Sequence, residues 1–214
     1  MTDFNFIKRV DEINGEEFRP ITIFSNFDEK KFYICDNLND RILITDLDFN
    51  FIKSVGSTGS GNCQFLSPYG ICFSSSKFYI CDYHNKRIQV YSKDFDFVTS
   101  FKVDYNPWKI KSTNFIICVA AASPSGIYFY NSNDFHLIRN YNHFDFLGRI
   151  SQINSMFYEF NHKTQTVSCY DENANLKEET TLKGLDQFLT DTWDGAFIFH
   201  NGALLIQSHT EKKL

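Results

Sequence analysis

The pattern Asp-x-x-Asn-x-Arg occurs twice in this chain, as Asp36, Asn39 and Arg41 and again as Asp82, Asn85 and Arg87. A carboxylate and a guanidinium at this spacing can make charge-assisted hydrogen bonds, and an Asp followed by an Asn suits a turn whose side chains bond their own backbone. Two readings are open: Arg41 and Arg87 meet a binding partner, or they brace the turn against a neighbouring unit. The other reactive residue types are less organised. The six histidines (His84, His136, His143, His162, His200 and His209) are scattered, and none of the six cysteines forms a C-x-x-C pair, so a zinc site or redox pair has no support. Cys35, Cys81 and Cys118 are read as one recurring repeat position and Cys72 and Cys169 as fillers of strand-like runs. Cys63, in a Gly/Ser-rich segment, is the one thiol expected to react. No metal and no cofactor is expected.

The elements that position these residues are repeats. Residues 3–10 read DFNFIKRV and residues 48–55 read DFNFIKSV, identical at seven of eight positions, with echoes at 94–101, at 134–141 and from Asn173. The echoes start 45, 46, 40 and 39 residues apart, and self-similarity at such a period marks a repeat architecture. A second phrase travels with the first: Phe32-Tyr33-Ile34-Cys35-Asp36 matches Phe78-Tyr79-Ile80-Cys81-Asp82. Each copy is a pair of short runs rich in β-branched and aromatic residues separated by polar turn residues, the pattern of antiparallel strands. Residues 68–101 divide into four strands, and four strands in about 40–45 residues is the propeller-blade pattern.

First strands are expected near Pro20, Pro68, Pro107, Gly148 and Gln187, and fourth strands at 49–55, 95–101, 135–141 and 174–182. The Asp that opens each echo, at 48, 94 and 134, is expected to form the hairpin turn before the fourth strand. The fifth repeat stops after its third strand, and the strand at 4–10 is the one left over. The fold class expected is therefore all-β: one domain over residues 1–214, a closed propeller of four-stranded blades, five in number, with the N-terminal strand completing the last. The alternative is an incomplete six-bladed ring.

The 24 phenylalanines and a 43% hydrophobic share are ample for a core. No apolar run approaches the ~18 residues of a membrane-spanning helix, and the first residues lack the blocks of a secretory signal. A soluble, cytoplasmic protein without membrane contact is expected. The net charge of −5 is uneven: residues 19–111 carry 12 Lys+Arg against 10 Asp+Glu. A uniformly basic nucleic-acid surface is excluded, while a local basic face on the first two full repeats stays open.

These residues resemble the NHL-repeat β-propellers. The stretch from Val55 through Gly56, Gly59, Gly61, Phe65 and Pro68 to Gly70-Ile71 is similar to that family's passage between blades, and Phe78 to Asp82 with Asn85 and Arg87-Ile88-Gln89-Val90-Tyr91 is similar to its strand pair. Later repeats lose the Asp, with Val119, Phe160 and His200 read in its place. The resemblance implies a face, formed by second-to-third strand loops and blade-to-blade passages, that binds protein or RNA. Carried onto this chain, the binding residues are Arg41, Tyr83, His84, Lys86, Arg87, Tyr105 and Trp108.

Three functions follow as expectations. The first is a non-catalytic platform for another protein. The second is RNA binding by Arg41, Tyr83, Lys86, Arg87, Tyr105 and Lys109, through phosphate contacts and base stacking. The third is a propeller enzyme with a metal in its channel. The expected first strands offer Lys109, Lys111, Arg149 and Gln152 but only Asp191 as an acid and no His, fewer ligands than zinc or a hard cation requires.

Overall fold

The run Phe78-Tyr79-Ile80-Cys81 contains no polar residue to alternate with, because both of its faces are buried. In the computed structural model, which describes residues 10–142, 149–161, 164–181, 197–200 and 203–206, Phe78 and Ile80 pack toward one neighbouring sheet and Tyr79 and Cys81 toward the other. Period-two alternation thus separates two partners, as in any strand buried on both sides.

Four sheets repeat this arrangement, each an antiparallel meander of four strands. Blade 1 holds β3 (Pro20–Asn26), β4 (Lys31–Asp36), β5 (Arg41–Asp46) and β6 (Phe51–Val55). It is preceded by a short hairpin of β1 (Glu12–Ile13) and β2 (Glu16–Glu17), whose Ile13 packs on Ile34 and Leu43. Blade 2 holds β7 (Pro68–Ser74), β8 (Lys77–Asp82), β9 (Arg87–Ser92) and β10 (Phe97–Lys102). Blade 3 holds β11 (Pro107–Ser112), β12 (Ile116–Ala122), β13 (Ser125–Asn131) and β14 (Leu137–Asn142). Blade 4 holds β15 (Arg149–Ile153), β16 (Met156–Asn161), β17 (Thr166–Tyr170) and β18 (Leu176–Thr181). A further hairpin, β19 (Phe197–His200) with β20 (Ala203–Ile206), follows, and β19 lies against β15. The expected first strand near Gln187, Asp191, and residues 4–9 of the expected closing strand lie outside the described residues.

The core is not one body but a layer between each pair of blades. Tyr33, Ile44, Ile71, Phe78 and Ile80 fill the space between blades 1 and 2, and Tyr79, Cys81, Val90, Ile110 and Val119 that between blades 2 and 3. Cys118, Phe129, Ile150, Phe157 and Tyr170 fill the next. Outer strands β6, β14 and β18 are mostly exposed along their length.

Three expectations are corrected by the register. The fourth strands begin about two residues later than the echo phrase suggests, because its opening residues form a turn with a left-handed residue, Phe49, Phe95, Phe135 or Ala174 (φ 63°, 65°, 60° and 61°). The Asp that opens each echo, at 48, 94 and 134, lies in this turn as expected, and Asp134 Oδ1 accepts the backbone N–H of His136 at 3.2 Å. The side chains of Asp46, Ser92, Asn131 and Asp171 accept the backbone N–H two residues on, and all but Asn131 also that four residues on. The Asp82 position, paired with Arg87, is occupied by Ala121 opposite Gly126 and by Asn161 opposite Thr166, not by Val119 and Phe160. By the same count Cys118 aligns with Tyr33 and Tyr79 rather than with Cys35 and Cys81, because Pro107 pairs with Ala121 as Pro68 pairs with Asp82, which sets Cys118 three residues before the shared position and Cys81 only one.

Candidate functional site

At the second-to-third strand turn of blade 2 the Asp-x-x-Asn-x-Arg residues close on one another. Asp82 is fully buried, and its carboxylate accepts from Arg87 Nε at 2.7 Å, Gln89 Nε2 at 3.0 Å, Asn85 Nδ2 at 3.0 Å and the backbone N–H of Leu66 at 2.8 Å. The remaining donors of Arg87 reach the passage from blade 1: Nη1 to Ser60 O at 2.9 Å, Nη2 to Gly61 O at 2.8 Å and to Gln64 O at 2.7 Å. A guanidinium is suited to this because its donors form a rigid fork. Arg87 is buried and each of its three nitrogens donates within the fold, so it is a strut and leaves the set of contact residues.

Blade 1 repeats the latch more openly. Asp36 accepts from Arg41 Nε at 2.9 Å, Asn39 Nδ2 at 2.8 Å and Arg19 N at 3.0 Å, while Arg41 Nη1 pairs with Glu16. Arg41 is therefore mostly committed as well. One turn position separates the two blades. Asp40 (φ 51°) receives Ser67 N at 2.7 Å and Thr58 Oγ1 at 2.9 Å, pinning the passage between blades 1 and 2. The equivalent Lys86 (φ 50°) makes its link to the next passage through its backbone carbonyl, with Val103 N at 2.9 Å, and its side chain is exposed.

Tyr105 also leaves the exposed face. It is 2% exposed, its ring lies 3.9 Å from that of Tyr128, and its hydroxyl meets Tyr130 Oη at 2.8 Å; burial pushes the phenol well above its usual titration range. Pro107 follows Asn106, whose Nδ2 donates to Tyr83 O at 3.1 Å, so the passage that buries Tyr105 also fixes the Tyr83 turn.

What the fold brings together instead is Tyr69, Tyr83 and Trp108, all half-buried. Tyr69 lies 4.3 Å from Trp108 and 4.8 Å from Tyr83 between ring centroids, and His84 stands edge-on to Tyr83 at 4.8 Å. Such offset and edge arrangements are those aromatic quadrupoles prefer. Gly70 makes the approach possible: a Cβ there would lie 2.9 Å from Trp108 O and 3.1 Å from Ile110 N, so only glycine lets β11 come this close to β7. Lys109 Nζ lies 5.9 Å from the Trp108 centroid, within cation–π range, and 3.3 Å from Thr22 Oγ1 of blade 1. Tyr69, which the resemblance carries onto this face with the blade-to-blade passage, is the centre of this shelf. Its adjacency to Pro68 was visible in the sequence, but its contact with Trp108 depends on how two blades pack. Among the described residues no three His, Cys, Asp or Glu side chains converge as a metal-binding group.

A family model described as a 6-bladed beta-propeller, DUF5128, matches residues 20–182. The chain belongs to this propeller family. Its sixfold blade count agrees with the alternative expected from the sequence rather than with the five-blade ring. No curated protein matches. Among solved structures the propeller is similar to hydrazine synthase of Kuenenia stuttgartiensis (TM-score 0.61, 13% identity, covering 83% of this chain and 53% of that one). It is also similar to a protein of Bacteroides fragilis NCTC 9343 (TM-score 0.61, 12% identity, 79% and 51% covered) and to the computationally designed Ika8 protein (TM-score 0.63, 7% identity, 91% and 57% covered). The chain spans about half the length of these structures, and at such identities the likeness is one of fold.

Proposed function

We propose that the chain is a non-catalytic propeller of the NHL type, acting in the cytoplasm as a platform that binds another protein through the face of its blade 1 and blade 2 turns. The observation that carries this reading is the Tyr69–Tyr83–Trp108 shelf, flanked by the exposed Lys86 and His84. Rings already packed on one another have little rotamer freedom left to lose on binding, and aromatic side chains are the usual anchors of protein interfaces. The commitment of Arg41 and Arg87 to Asp36 and Asp82 also favours a protein over RNA. It leaves Lys86 and Lys109 as the basic groups nearest the shelf, few for a polyanion whose affinity comes from phosphate neutralisation. Six free thiols fit a reducing compartment.

The test compares variants against a partner captured with the wild-type chain. Tyr83→Ala and Trp108→Ala should each weaken binding by about 1–2 kcal/mol or more if the residue is an anchor, with Lys102→Ala, on outer strand β10, as the control. A loss from Lys102→Ala as large as those from the two aromatic variants would mean that the effect is not local to the shelf and would remove this face from consideration. A steep fall of log affinity with log salt would favour the RNA reading instead.

A further inference from the structure

The opposite face of the disc carries a second candidate site, built from the first-to-second strand turns of blades 2, 3 and 4. An open depression of about 350 Å³ lies there, lined by Phe73 and Ser74 of blade 2, Ser112 to Phe115 of blade 3, and Gln152, Asn154 and Ser155 of blade 4. None of these nine side chains is ionisable. The lining is hydroxyls, carboxamides and two phenylalanines, one of which, Phe115, is 63% exposed.

That chemistry selects a ligand. An ionised group entering the depression would meet no counter-charge among these nine side chains, and desolvating an unpaired charge is costly. An apolar ligand would strand the amides and hydroxyls, which is also unfavourable. A neutral polyhydroxyl compound offends neither constraint. Its hydroxyls both donate and accept, and its C–H faces can lie on a ring whose apolar surface would otherwise face water.

The polar groups are already oriented. Ser75 and Ser76 form a tight turn with both residues left-handed (φ 47° and 58°), and Ser75 Oγ donates to Asn114 Oδ1 at 3.1 Å. Asn114 Nδ2 is left as a donor. Gln152 Nε2 donates to Asn154 O at 3.1 Å, leaving Gln152 Oε1 as an acceptor. Ser74 Oγ bonds Ser112 Oγ at 2.8 Å and Thr113 O at 2.9 Å, which ties blade 2 to blade 3 beneath the depression. A donor, an acceptor and the exposed Ser155 hydroxyl around one exposed ring form a set suited to adjacent hydroxyls of a sugar. The volume lies at the small end of ligand sites, the size of a mono- or disaccharide rather than a long chain. We propose that this face is a saccharide-binding site selective for neutral sugars, distinct from the aromatic shelf.

The experiment is a titration of the full chain with a panel of neutral disaccharides (cellobiose, maltose, lactose and chitobiose), followed by saturation-transfer NMR and calorimetry, with glucuronic acid and glucose 6-phosphate as charged comparisons. At least one neutral disaccharide should bind saturably, with a dissociation constant on the order of 1 mM or below. Phe115→Ala and Gln152→Ala should each weaken it about tenfold or more with unchanged thermal unfolding, while Tyr83→Ala on the other face leaves it intact. Raising the salt from 50 to 500 mM should change it less than twofold. The inference is overturned if no panel member binds, if the charged sugars bind as well as the neutral ones, or if binding survives both substitutions. Because Phe115 is largely exposed, its truncation reports on contact with ligand rather than on folding. A parallel loss of binding in Tyr83→Ala would also overturn the assignment to this face.

Discussion

At the scale of single residues, the two Asp–Arg pairs share a sequence pattern but differ in surroundings. Arg87 gives its Nη2 to two carbonyls of the passage, whereas Arg41 Nη2 is buried without a hydrogen-bond partner. Removing Arg87 would leave Asp82 fully buried beside carbonyl oxygens that have lost their donor. Arg87→Ala should therefore cost about 3–5 kcal/mol, the range for breaking a buried pair by deleting one partner. Arg41→Ala, whose site is more open to water, should cost roughly 1–3 kcal/mol. Urea denaturation of both variants checks the order. An Arg41 variant as damaging as the Arg87 variant would mean that the two latches are equivalent.

At the scale of elements, the repeated Asp-Phe phrase is a hairpin device whose aromatic does the inter-blade work. Phe95 lies 5.0 Å from Phe78 and 4.9 Å from Tyr91 of its own blade and 5.5 Å from Tyr33 of blade 1, and Phe135 stacks at 4.8 Å on Phe101 of blade 2. A bulky residue in the left-handed region is unfavourable by roughly 1–2 kcal/mol, so the wedge must more than offset its own backbone. Phe95→Gly separates the two terms. Glycine relieves the backbone but deletes the ring, and a net destabilisation of about 2–4 kcal/mol is expected, since truncating a buried Phe costs about 3–5. A neutral or stabilising Phe95→Gly in thermal unfolding would show that the ring contributes little between blades.

At the scale of the whole molecule, the layers between blades hold many neutral acids away from water. Burial pushes the Cys72 thiol up to about 12 from an ordinary 9.0, and the Tyr79 and Tyr130 phenols up to about 12 from 10.0. Cys81 and Cys118 are also raised well above the ordinary thiol value, again chiefly by burial. The sign is fixed by linkage: above pH 9 the unfolded chain releases these protons while the folded one keeps them, so the unfolded state binds fewer protons and stability falls as pH rises. Stability should be level with respect to these groups below about pH 8 and decline progressively from pH 9 to 12. Chemical denaturation across that range checks it, and a midpoint independent of pH from 8 to 11 would contradict the burial of these groups. In the native state at pH 8, thiol labelling should be confined to Cys63, the half-exposed cysteine of the passage, and Cys169.

The sequence by itself determined the architecture: the recurring phrases mark repeats, the strand pairs mark four-stranded blades, and unbroken apolar runs such as Phe78 to Cys81 mark strands buried on both sides. These are local properties, written in spacing and residue type. The echo also located the outer hairpins to within two residues, but not their capping residues, because Asp46 and Asp48 read alike until the φ of Phe49 places the turn. Register in the degraded repeats was harder to read, since the Cys of the recurring phrase is two residues out of place in blade 3, and only the pairing of Pro107 with Ala121 shows that Cys118 is not in line with Cys81. The candidate site was the least legible part. Arg87, Tyr83, Tyr105 and Trp108 were all singled out by the resemblance, yet whether each is buried or presented depends on contacts between blades more than 20 residues apart in the chain. Packing made Arg87 a strut and Tyr105 a filler, and it set Tyr69 on Trp108 through the space left by Gly70. Only the tertiary structure could decide this, because exposure is a property of what the neighbouring blade covers.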